Sequence, residues 1–162
     1  MVVLILVLAL FATSAQASVL QLSDATTIHS LRKKLNTITV DVTQAMEGAM
    51  QTGNYNLFSC LSLIHDQGES VAMTAAGVGD LIALSLLMRD QFDEAKTLRA
   101  LRTWLAVLSN DLPHARQIIN GAMSLCSNSV IVNAKGQAFL NALSDWNEPV
   151  SSMARRVGQI TR

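Results

Sequence analysis

Ile28, Leu31, Leu35, Ile38, Val42, Ala45 and Ala49 follow one another at alternating steps of three and four. A helix turns about 100° per residue, so this spacing gathers them on one face and predicts a long helix from Ala25 to Gln51. Asp24 is the expected N-cap, and Thr52-Gly53-Asn54 the expected stop. A shorter helix, Tyr55 to His65, is predicted to end at Asp66-Gln67-Gly68. The most apolar stretch follows, near residues 70–88, and carries the single charge Asp80 at its middle. There Ala75, Gly79 and Ala83 recur every four residues, with Ala72 and Ala76 beside them. Such a row lets another helix approach closely while Val71, Val78, Leu81 and Leu84 fill other faces, so this is the expected central helix.

From about Asp90 the pattern starts again. Asp90, Asp93 and Glu94 precede Lys96, Arg99 and Arg102, the order that the helix dipole favours, and Leu98, Leu101, Leu105 and Leu108 mark the inner face. The segment Asn110–Pro113 reads as a turn and a new helix start, with Asp111 capping and Pro113 in the first turn. That helix is expected to reach Cys126 with Ala115, Ile119 and Ala122 inward. Further helices are predicted over Val130–Leu143 and from Asn147 onward, the last with a basic end at Arg155, Arg156 and Arg162. No strand-like alternation persists beyond a few residues. The expected fold is all-α: a single-domain bundle of five to seven helices around a central hydrophobic helix.

Composition supports this reading. Half of the 162 residues are hydrophobic but only 4% are aromatic, and two prolines interrupt the chain. Aliphatic residues and alanine favour packed helices over aromatic-rich strands. Lys and Arg balance Asp and Glu at 12 each, so no net field draws the chain to nucleic acid.

The first residues change the expected location. An apolar run from Val2 to Ala12 leads to Ala15-Gln16-Ala17, an A-x-A cleavage pattern, so residues 1–17 read as a cleaved signal peptide and 18–162 as the helical domain. The run is shorter than the roughly 20 residues of a membrane span, although no Lys or Arg precedes it. A periplasmic or secreted protein is expected, with no stable transmembrane span after cleavage. Asp80 also disfavours a span through residues 68–90, since a carboxylate at mid-membrane costs roughly 2.5–3.5 kcal/mol. It should be solvated or paired, Arg89, Arg99 and Arg116 being the available cations. Cys60 and Cys126 form an even pair, and in an oxidising compartment they are expected to make one structural disulfide.

Candidate chemistry is sparse. His29, His65 and His114 fall on different predicted helices without clustered metal spacing. His65 and Glu69, with Asp66, could share a cation if the chain folded back at Gly68. Met46 and Met50, one turn apart, could serve as soft ligands, and a Met and a His from different helices could hold haem. Packing explains the methionines as well, so no cofactor is expected. Gly77-Val78-Gly79-Asp80 lacks the strand and third glycine of a dinucleotide motif, and no nucleophile motif is present. Lys96, Arg99 and Arg102, every third residue, form a basic stripe that is either a solvated face or, with Asp80, a contact for a partner.

The segment Ile82–Leu101, with Ala83 in a first helix and Phe92 and Ala95 opening a second, resembles a tetratricopeptide-type hairpin over Gly77–Leu108. It lacks that family's aromatic-Leu-Gly start, carries Arg99 and Arg102 where apolar residues belong, and has no second copy. The resemblance implies a peptide- or protein-binding groove. The expected function is therefore an exported, non-enzymatic helical protein that binds a protein partner of the cell envelope or extracellular space, or a small apolar ligand. The alternative is a metal- or haem-carrying bundle using His, Met and Glu ligands.

Overall fold

In the computed structural model of the chain, residues 20–87 and 93–160 are described, and every regular element among them is helical. The helices are α1 (Leu22–Gln51), α2 (Tyr55–Leu87), α3 (Glu94–Leu125), α4 (Val130–Ser144) and α5 (Asn147–Ile160). Only Asp145 and Trp146 separate α4 from α5, and the two form one bent C-terminal arm. The architecture is thus a single-domain bundle of four helices. The signal-like residues 1–17, together with Arg89, Asp90, Phe92 and Arg162, lie outside the described residues.

The heptad face of α1 is the inner face. Ile28, Leu35, Val42 and Ala49 are buried, and the intervening Leu31, Ile38 and Ala45 pack half-buried against the same core. Gly53 then supplies the turn, with φ at 67°, a backbone conformation that side-chain-bearing residues rarely adopt. α2 returns antiparallel and packs against α1, α3 and α4, while α1 and α3 each also touch both halves of the arm. α2 thus has three helix neighbours, as α1 and α3 do, and the Cys60–Cys126 disulfide ties the first turns of α2 to the end of α3.

Two predicted breaks are absent. Asp66-Gln67-Gly68 does not end a helix, because α2 runs unbroken through it. Gly68 is buried, and a Cβ there would collide with the ring of Phe139 on α4; the glycine serves close approach rather than termination. Asn110–Pro113 is not a turn either, and α3 contains Pro113 in its interior. Proline offers no N–H to the carbonyl of Ser109, but both residues are exposed, so water can satisfy that oxygen. The buried row of Leu98, Leu101, Leu105, Leu108, Leu112, Ala115, Ile119 and Ala122 continues through the proline without a change of register.

The helix starts also shift. Gln21 is the N-cap of α1, and Asp24 lies in the first turn, where its carboxylate accepts the Gln21 N–H at 2.8 Å. α3 starts at Glu94 behind Asp93, which accepts the Lys96 N–H at 3.1 Å. That bond, foremost, holds the Asp93 carboxyl below its ordinary value. Asp111 caps nothing; mid-helix, it accepts the Thr74 hydroxyl at 3.0 Å. The tetratricopeptide resemblance fails on length. Its repeat fits two short helices into roughly 34 residues, whereas α2 and α3 span 33 and 32 residues each.

Trp146 closes the core at the bend of the arm. Its side chain is fully buried, its backbone N–H donates to the Leu143 carbonyl at 3.3 Å, and its backbone carbonyl accepts the Val150 N–H of α5. A tryptophan buries roughly 200 Å² or more, enough to anchor α5 against the bundle.

Candidate functional site

α2 is the most informative surface. It is long and apolar enough by composition to cross a membrane, with mean hydropathy 1.7, yet only 33% of its most apolar stretch is buried. Its buried residues Val71, Ala75, Val78 and Ile82 face inward. On the opposite side Met73 is 64% exposed and Leu84 42% exposed, with Gly77 between them. α3 adds Trp104 and Val107 to this surface. The Trp104 ring lies over Gly77, close enough that a Cβ there would stand 3.3 Å from it. Trp104 nevertheless stays 41% exposed, so the face is apolar, continuous across two helices and open to solvent. The sequence hid it because Trp104 sits beside the Leu101–Leu105 core row, where it reads as one more apolar position. Its offset from that row was the available signal.

Asp80 belongs to the same side. It is exposed, which resolves the problem of a carboxylate on an apolar helix: the group remains in water. No ion pair joins it to a described residue, and Arg116 is engaged elsewhere, donating to the Leu143 carbonyl at 2.8 Å and to Asn147 at 3.0 Å. Asp80 lines a cleft of about 290 Å³ between α1 and α2. The predicted small residues Ala75, Ala76, Gly79 and Ala83 form one wall, while Ile28, His29 and Arg32 of α1 form the other.

The basic stripe of α3 does not act as one unit. Lys96 is held by Asp93 at 3.4 Å, Arg99 is exposed, and Arg102 turns toward α5, where it lines a groove of about 680 Å³ with Arg155. Lys34–Asp145, Lys135–Asp41, Arg155–Glu148 and Arg156–Asp24 are ion pairs at or beside the C-terminal arm. α2, by contrast, has the carboxylates Asp66, Glu69 and Asp80 and no Lys or Arg. The charges balance over the chain but separate across the bundle.

The proposed metal ligands come together only in part. His65 Nδ1 lies 3.2 Å from Asp66 and 4.0 Å from Glu69 along the surface of α2. Met46 packs half-buried against the core, and Met50 is exposed near the α1 end. Among the described residues no three His, Cys, Asp or Glu side chains gather around one point, and no hydrogen bond joins any two of the three histidines. No protein-family model matches this chain, and comparison with curated proteins and with solved structures gives no match.

Proposed function

We propose that the chain is an exported, non-catalytic binding protein that holds a protein partner on the outward face of α2 and α3. One observation carries this reading: Trp104, seated on Gly77, remains 41% exposed beside Met73, Leu84 and Val107. Exposed apolar patches of this kind mark contact surfaces, and Trp and Met are enriched at their centres. Export is supported by the A-x-A pattern at Ala15–Ala17 and by the use of both cysteines in one disulfide. Insertion of α2 across a membrane is disfavoured by its neighbours. α1 and α3 run alongside it with Lys33, Asp41, Glu47, Arg99 and Asp111, and each charge carried into hydrocarbon would cost roughly 2.5–3.5 kcal/mol.

The test is a photo-crosslinking side chain placed at Met73 in the native host, with the same probe at exposed Ser151 of α5 as control. A discrete adduct from position 73 and none from position 151 is expected. Equal labelling from both positions, or none from either, would remove the α2–α3 face as the contact. The carrier alternative is checked separately by absorbance and metal content of the purified protein.

A further inference from the structure

Resting on that docking reading, we infer that the partner presents a cationic amphipathic helix, with apolar residues over the Trp104–Gly77 platform and Lys or Arg beside the α2 carboxylates. The shape is that of a helix seat. Met73, Gly77 and Leu84 lie at steps of four and seven along α2, a strip of ~16 Å at 1.5 Å per residue. Helices that dock in grooves place their anchors at this same spacing. The glycine lowers the middle of the strip, and the indole ring forms its side.

Charge selects the occupant. Asp66 and Asp80 lie exposed on either side of Met73 along the same helix; α2 holds no Lys or Arg, and its one contact to them is His65, 3.2 Å from Asp66. Across the cleft from Asp80 stands Arg32, with no ion pair between them, and Lys96 at the far edge is taken by Asp93. A second copy docked face to face would set one acidic rim against another, and an anionic lipid surface would meet like charge there. A helix bearing Lys or Arg complements both the apolar strip and its rim.

The experiment uses two synthetic amphipathic helices, one of leucine and lysine and one of leucine and glutamate, titrated into the full domain. Trp104 is the reporter, because it is 41% exposed on the docking face whereas Trp146 is 0% exposed. The lysine helix should shift the emission to the blue and the glutamate helix should not. Met73→Ser with Leu84→Ser, which removes the apolar anchors without adding charge, should weaken binding at least ~10-fold, as loss of central apolar anchors does. These positions are exposed, and retained helicity verifies the fold. Asp80→Asn should weaken it ~1.5- to 5-fold, with the effect vanishing in high salt, as for a rim charge.

Equal binding of both helices overturns the charge selection while leaving the docking face intact. No binding of the lysine helix, with a crosslink still formed from position 73, overturns the inference alone; loss of both overturns the docking reading too. A concentration-dependent dimer that buries Trp104, or a blue shift on vesicles of anionic phospholipid with no response to the lysine helix, replaces the partner helix by a second copy or by a membrane.

Discussion

Arg156 grips both carboxylate oxygens of Asp24, at 2.6 and 3.0 Å, joining α5 to the first turn of α1. The Asp24 side chain is 12% exposed and also accepts the Gln21 N–H, so its charge is held almost wholly by protein groups. Removing the guanidinium leaves that carboxylate partly desolvated without its counter-ion, which is costlier than removing the pair together. Arg156→Ala is expected to destabilise the fold by ~1–3 kcal/mol in urea unfolding. Asp24→Ala combined with Arg156→Ala should cost less than the two single losses added. Strict additivity would show that the pair contributes nothing as a pair.

The helical glycines differ in what an added side chain would meet. At Gly68 an added methyl meets the fully buried ring of Phe139, whereas at Gly48 and Gly121 it meets nothing within 4 Å. Gly121→Ala should therefore stabilise by ~0.5–1 kcal/mol through helix propensity alone. Gly68→Ala gains the same propensity but must displace a packed ring, and a net loss of ~1–3 kcal/mol is expected. Gly136 is intermediate, because its would-be neighbour is the flexible side chain of half-buried Met123. Thermal midpoints of the three variants should rank Gly121→Ala above Gly136→Ala above Gly68→Ala. Any other order contradicts the packing described.

Much of this architecture was legible because period and packing agree. The seven-residue recurrence of Ile28, Leu35, Val42 and Ala49 is the buried face of α1, and the Cys60–Cys126 pairing follows from an even cysteine count. What misled was local punctuation. Gly68 and Pro113 read as helix ends, yet a glycine that admits Phe139 and a proline on a solvated face are both compatible with a continuous helix. The unbroken leucine register across Pro113 was the stronger signal. The Asp24–Arg156 pair was hidden for a different reason: its members are 132 residues apart, and nothing local distinguishes Arg156 from its exposed neighbour Arg155. The exposed side of α2 was hidden by composition, since apolar residues outside the core look the same in a sequence as those within it.

The disulfide closes a long loop, with a sequence separation of 66 between Cys60 and Cys126. In the chain-entropy model that restriction of the unfolded state amounts to ~4 kcal/mol. Cys60→Ser with Cys126→Ser should lower unfolding stability by ~2–4 kcal/mol while leaving the far-ultraviolet helical signal intact in the absence of denaturant. Reducing agent should reproduce the effect in the unmodified protein and do nothing further to the double variant. A variant as stable as the parent would mean that the bond is a consequence of packing rather than a staple.

Pro113 gives the most direct test of the uninterrupted α3. A proline in an exposed helix interior is ~3 kcal/mol less favourable than alanine, and part of that is returned because proline also restricts the unfolded chain. Pro113→Ala would restore an N–H at a position where the helix continues on both sides, facing the carbonyl of Ser109. The expected outcome is a gain of ~1–2 kcal/mol in urea unfolding, with slowed hydrogen exchange at residues 113–117. If Asn110–Pro113 were instead a turn between two helices, the proline would suit its position and the same substitution would be neutral or destabilising. The sign of this one change therefore decides between one helix of 32 residues and two shorter ones.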